Sequence, residues 1–101
     1  MKLYRHGDLL IKEISEAPKN LKKLESNVLA YGEATGHSHI LVADKLEIFE
    51  DEQGRKYFKV DTNAQLTHQE HKTITIKKGW FSVVHEREYD SFLEEARRVQ
   101  D

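Results

Sequence analysis

The histidines of this chain are numerous and closely spaced, so they could form a chemically active site. The 101 residues include six histidines and no cysteine, so any tight metal site must use His, Asp or Glu. Neutral imidazole is a good ligand for Zn, Fe, Ni and Cu. The sequence therefore predicts a divalent-metal site whose ligands come from three short segments, GHSH, THQEH and VVHE, with the histidines His37, His39, His68, His71 and His85.

The first segment places two histidines two residues apart. On a strand, His37 and His39 would point to the same face with their Cα atoms about 7 Å apart. Both rings could then bind one ion at metal–nitrogen distances of about 2.0–2.1 Å. Glu33 lies four residues before His37 and could add an oxygen ligand, orient an imidazole or act as a general base. The alternative is two surface histidines at the start of a strand.

The second segment, LTHQEHK, places His68 and His71 three residues apart. This spacing suits the end of a strand that enters a turn. Glu70 lies between the two histidines and is a second candidate base. Taken alone, the segment also fits a polar turn that happens to contain histidines.

The third segment places a histidine on an apolar strand face. In FSVVHE, His85 shares its face with Phe81 and Val83, so its side chain is predicted to point inward. A buried histidine needs a polar partner, and that partner could be a metal ion, a backbone carbonyl or a carboxylate. His6, in YRHGD, is assigned to a turn and is left out of the predicted site.

Strand patterns dominate the rest of the chain. Alternating apolar residues predict strands over 9–14, 27–31, 39–42, 46–60, 64–68 and 73–89, with hairpin turns at Gly54 and at Lys78–Gly79. The polar stretch 15–26 is assigned to a loop, with one helical turn at Asn20–Leu24 as the alternative. A capping pattern predicts a C-terminal α-helix over about 90–100. We therefore expect one all-β, mainly antiparallel domain over residues 1–101, a small β-barrel or sandwich of seven or eight short strands closed by that helix.

Composition narrows the class of protein. The formal net charge is −2, which does not favour a nucleic-acid-binding surface. No apolar run approaches the roughly 20 residues of a membrane span, and charged residues interrupt the N-terminus where a signal peptide would be apolar. The absence of cysteine fits a reducing compartment. These features predict a soluble cytoplasmic protein.

Two resemblances add to these predictions. The blocks RHGDLLI, GEATGHSH, LTHQEH and HEREYD together resemble an uncharacterised family of small bacterial and phage-encoded proteins, which implies a phage or mobile-element origin. The order of histidines is also similar to the two metal motifs of cupins. In that comparison His37, His39 and Asp44 match the first motif, and His85 after Gly79 matches the second. This resemblance implies a metal ion inside a β-barrel.

Three functional hypotheses follow. The leading one is a divalent metal site (Zn, Fe, Mn or Ni, with zinc favoured) inside the barrel. If its coordination is open, the site could hydrolyse a small-molecule substrate, with Glu33 or Glu70 as base. The second hypothesis is metal-free acid–base catalysis by paired histidines on a phosphodiester. The third is a non-catalytic binding module that forms a symmetric homo-oligomer.

Overall fold

Every regular element in the described part of the chain is a β-strand. The computed structural model describes residues 2–31 and 37–85. The eight strands are β1 (Leu3–His6), β2 (Leu9–Ile14), β3 (Lys22–Leu24), β4 (Val28–Tyr31), β5 (Ser38–Val42), β6 (Leu46–Glu50), β7 (Lys56–Thr67) and β8 (Ile74–His85). The predicted all-β, antiparallel class is confirmed. The C-terminal helix predicted for about 90–100 lies outside the described residues.

The strands form a single antiparallel sheet. Its main order is β1-β2-β8-β7-β5-β4, and β6 joins it by pairing with β7 and with β3. One edge of β7 is shared, since β6 pairs with its first half and β5 with its last three residues. The other edge of β7 pairs with β8. The sheet curls into a half-barrel, which fits the first of the two architectures expected from the sequence, a barrel or a sandwich.

The two longest strands must bend within the molecule. A straight strand of 12 residues spans roughly 40 Å, whereas the principal extents are 28 × 28 × 25 Å. Gly79 in β8 has φ +147°, and its partner Val60 borders a register shift in β7 that ends at Asn63. A bulge opposite a glycine bends and twists a strand pair. This is the point at which β7 and β8 curl.

Two local predictions need correction. The hairpin turn predicted at Lys78–Gly79 is wrong, because β8 runs without interruption from Ile74 to His85. The flexible backbone of Gly79 serves a bend within a strand instead of a chain reversal. The actual β7–β8 hairpin loop covers residues 68–73 and carries two of the histidines. The segment 15–26 is neither all loop nor helical at Asn20–Leu24, since Lys22–Leu24 pairs with β6 as β3.

The hydrophobic core lies inside the curl. Phe58 of β7 and Phe81 of β8 are paired in the register, and their rings stack with centroids 5.1 Å apart. Neither ring is exposed. Tyr4 of β1 contacts Phe81 edge to face at 6.0 Å. The residues around them are aliphatic and buried, and they include Leu9, Ile11, Leu41, Ile48, Val60, Leu66, Ile76 and Val83.

Candidate functional site

All six histidines lie at one end of the half-barrel. Five of their rings are linked by centroid distances of 4.5–6.2 Å, and His68 contacts four of the others. The sixth, His85, reaches the group through the carboxylate of Asp8. We call this set the histidine cluster; its members are His6, His37, His39, His68, His71 and His85. It forms where the β1–β2 turn, the start of β5, the β7–β8 loop and the end of β8 meet.

His6 and His39 form the buried centre of the histidine cluster. Their Nδ1 atoms are 2.9 Å apart, and Nε2 of His6 is 2.9 Å from the carbonyl oxygen of Lys72. A carbonyl only accepts, so Nε2 of His6 carries a proton, and in a neutral ring its Nδ1 is then an acceptor. The proton between the two rings therefore belongs to Nδ1 of His39. Nε2 of a neutral His39 is left with a lone pair.

Asp8 lies in front of that lone pair. Its Oδ1 is 3.4 Å from Nε2 of His39, and its Oδ2 is 3.7 Å from Nδ1 of His85. Nδ1 of His85 is itself buried and makes no hydrogen bond within the described ranges. Two imidazole nitrogens, from the non-adjacent strands β5 and β8, thus face one carboxylate.

Burial keeps His39 unprotonated. The side chain is 3% exposed, and desolvation, followed by the neighbouring His6 and His68, lowers the pKa of His39 from 6.5 to about 4. The carboxylate of Asp8 opposes this shift without reversing it. At neutral pH His39 is therefore a neutral imidazole, which is the form that binds metal ions.

The remaining imidazoles are held by the β7–β8 loop. Nδ1 of His68 accepts hydrogen bonds from the backbone N–H groups of Glu70 and His71, at 3.0 and 3.4 Å. In this orientation a neutral His68 carries its proton on Nε2, so neither ring nitrogen offers a lone pair to an ion. Desolvation and the adjacent His71 and His37 lower the pKa of His68. Nδ1 of His37 is 3.0 Å from Oε1 of Glu70.

The structure thus brings the five predicted histidines and Glu70 to one end of the sheet. Glu33, the other predicted base, lies outside the described residues. Asp44, matched to a cupin ligand, follows the C-terminal end of β5, whereas His39 lies near the start of that strand.

Sequence reasoning missed two members of the site, His6 and Asp8. His6 is the last residue of β1 and is 1% exposed, not part of a turn. It shares a strand face with Tyr4, whose ring packs on the core, so the argument applied to His85 would have found it. Asp8 resembles an ordinary turn residue because it follows glycine.

No three or more His, Asp or Glu side chains in residues 2–31 and 37–85 already form an arrangement that could hold a metal ion. Asp8 contacts two histidines of the cluster, His39 and His85. The Asp8 side chain is 61% exposed, so it can change rotamer without disturbing the core.

Gly7 lies against the ring of His71 in the histidine cluster. It has φ +63°, and a Cβ placed on it would lie 2.5 Å from Nε2 of His71. We expect Gly7→Ala to destabilise the protein by about 2–4 kcal/mol, because backbone strain adds to the displacement of the His71 ring. Urea denaturation followed by circular dichroism measures the loss.

Gly54→Ala is the matched control for this prediction. Gly54 also has positive φ, at +84°, but no atom lies within 4 Å of an added Cβ. The free energy of unfolding of Gly54→Ala should fall only by the cost of backbone strain, about 1 kcal/mol. Equal losses in the two variants would show that contact with His71 contributes nothing.

The metal-free protein should lose stability as the pH falls from about 6.5 toward 4. The pKa of His39 is about 4 in the folded chain and 6.5 in the unfolded chain. Between these values the unfolded chain binds more protons, so the free energy of unfolding decreases with falling pH. We expect the free energy of unfolding to fall by roughly 2 kcal/mol. This is less than the full pKa shift would give, because solvent screening and nearby acids weaken the effect. Urea titrations in EDTA between pH 7 and 4 measure it, and a flat profile equal to that of His39→Leu would contradict it.

The sequence matches the profile of a family described as Domain of unknown function (DUF8820) over residues 5–86. The chain belongs to this family. The DUF8820 match begins one residue before His6 and ends one residue after His85, so it contains the whole histidine cluster. Membership of an uncharacterised family is thereby confirmed. No curated protein and no solved structure matches the chain.

Among the described residues of this DUF8820 member, no helix is long and apolar enough to cross a membrane. The cupin resemblance, the phage or mobile-element origin, the homo-oligomer and the cytoplasmic location stay predictions.

Proposed function

We propose that the histidine cluster binds one divalent transition-metal ion through His39, Asp8 and His85. The observation that carries the proposal is the 3.4 Å contact between Nε2 of His39 and Oδ1 of Asp8. With His39 neutral and its proton on Nδ1, both of these atoms are acceptors. Two acceptors approach each other favourably only when a cation is shared between them.

A metal ion suits this position better than a proton. The low pKa of His39, about 4, means that a proton is not held there at neutral pH. His85 contributes a second buried nitrogen 3.7 Å from the other oxygen of Asp8. Two histidines and one carboxylate form a ligand set that binds Zn and Fe, and nitrogen ligands also favour Ni over Mn. Zinc remains the first candidate.

Binding requires a small rearrangement. The exposed carboxylate of Asp8 must turn so that it and the two imidazoles reach one ion at about 2.0–2.2 Å. His39 needs no such movement, because its 2.9 Å contact with His6 already holds its ring. The ion would therefore enter from the Asp8 side, where the cluster meets solvent.

Three protein ligands leave a position open for water. A bound zinc ion supplies Lewis acidity and lowers the pKa of such a water to about 7, which is the basis of metal-dependent hydrolysis. Glu70 is the candidate base, since its side chain is 60% exposed and contacts His37 at the same end of the sheet. A hydrolase with a small-molecule substrate is the catalytic form of this proposal.

Metal-free acid–base catalysis receives less support from the same geometry. A general base works best when its pKa lies near the operating pH. The pKa of His39 lies well below neutrality, and the pKa of His68 is also lowered. Desolvation thus makes these two imidazoles weak bases, whereas Nε2 of a neutral His39 keeps a lone pair for an ion.

Elemental analysis and zinc titration of the purified protein test the proposal. We expect about one zinc per chain at saturation, and loss of that zinc in the double variant His39→Ala/His85→Ala. His68→Ala is the matched control, because Nδ1 of His68 already accepts backbone hydrogen bonds. It should keep the stoichiometry. Wild-type protein that takes up no Zn, Fe, Mn or Ni would overturn the proposal.

A further inference from the structure

His6 can affect the proposed metal site without binding the ion itself. His6 is 1% exposed, and its two ring nitrogens contact a backbone carbonyl and Nδ1 of His39, each at 2.9 Å. The carbonyl belongs to Lys72 in the β7–β8 loop, 66 positions further along the chain. His6 therefore connects a fixed backbone acceptor to the most buried imidazole of the proposed site.

We propose that His6 is a positioning residue that fixes the tautomer of His39. The carbonyl of Lys72 requires a proton on Nε2 of His6, which makes Nδ1 of His6 an acceptor. That acceptor requires the proton of His39 to lie on Nδ1, which directs the Nε2 lone pair at Asp8. The inference deepens the proposed metal site and, as far as metal affinity is concerned, rests on it.

If His6 instead donated the hydrogen bond to His39, His6 would have to carry two protons and a positive charge. A doubly protonated His6 would donate to both neighbours, and His39 would then carry its proton on Nε2, where it would block an ion. The inferred order from the carbonyl to His6 to His39 needs only the single proton of a neutral His6. The positions of the ring protons of His6 and His39 distinguish the two directions.

Histidines that bind metals commonly donate their second N–H to an acceptor, which orients the ring and raises its basicity. Carbonyls and carboxylates usually supply that acceptor. Here a second imidazole does so, and it is itself fixed by a carbonyl. Removal of such a partner typically lowers metal affinity by about 10- to 100-fold.

Nitrogen-15 NMR of histidine side chains in the metal-free protein tests the tautomers directly. We expect a proton on Nε2 of His6 and on Nδ1 of His39 in the wild type. His6→Leu removes the acceptor, so His39 should show a mixture of tautomers. His6→Asn places an amide oxygen near the position of Nδ1, and it should restore the Nδ1–H form of His39. A wild-type His39 protonated on Nε2 would overturn the inference.

Zinc titration adds a second readout with the same variants. We expect His6→Leu to weaken zinc binding by about 10- to 100-fold and His6→Asn to stay within about threefold of the wild type. Equal affinity in His6→Leu and the wild type would overturn the inference while leaving the metal site intact. If the wild type binds no zinc, the proposed function fails, but the role of His6 can still be tested. The tautomers of the wild type decide that role, even if a variant does not fold.

Discussion

Phe81→Ala is expected to lower the free energy of unfolding by about 3–5 kcal/mol. The ring is fully buried, stacks on Phe58 at 5.1 Å and contacts Tyr4 at 6.0 Å. Its removal leaves a cavity at the centre of the curl, where the bent strands cannot easily close over it. Domains of this size are stable by only about 5–15 kcal/mol, so the variant should unfold at a much lower urea concentration.

Phe49→Ala is the matched control. Phe49 also lies on a strand and stacks on an aromatic ring, Trp80, at 5.4 Å, but it is only partly buried. We expect a loss of about 1 kcal/mol, from the ring contact and a smaller buried area. Urea denaturation monitored by circular dichroism compares the two variants. A loss for Phe49→Ala as large as that for Phe81→Ala would place the main core on the other face of the sheet.

Zinc is expected to stabilise the wild-type protein by about 4 kcal/mol when the free ion is present at 1,000 times its dissociation constant. The reason is that the proposed ligands come from three parts of the chain that meet only in the folded sheet. Asp8 lies in the β1–β2 turn, and His39 and His85 lie on β5 and β8. Thermal or urea denaturation with a zinc-buffered solution, compared with EDTA, measures the difference.

The size of the zinc effect should follow the proposed ligands. His39→Ala should lose most of the stabilisation, and Asp8→Asn should lose part of it because the neutral amide binds the ion more weakly. His68→Ala should retain it. Stabilisation that persists in His39→Ala but disappears in His68→Ala would move the ion to the β7–β8 loop.

The alternation of apolar residues was enough to predict an antiparallel all-β fold. It worked for LEIFE and KYFKV because one face of each strand packs on the core. It failed at Lys78–Gly79, where a glycine with positive φ bends β8 instead of ending it. A local sequence cannot separate these two uses of glycine, because the difference depends on whether the neighbouring strand β7 continues alongside.

Only part of the candidate site could be predicted from the sequence, because some of its contacts join distant parts of the chain. His85 could be placed by its strand face, since Phe81 and Val83 are buried on the same side. The role of Asp8 depends on contacts with β5 and β8, which no local pattern encodes. The argument used for His85 also places His6, which shares a strand face with Tyr4, although its strand has only four residues.

The long separations within the histidine cluster have a consequence for the order of folding. His6 meets His39 across 33 positions and Lys72 across 66. Closing loops of this length costs chain entropy that local hairpins do not pay. We therefore expect the β7–β8 hairpin to form early and the cluster to assemble late. An ion would then arrive at a completed sheet, and it would slow unfolding more than it accelerates folding.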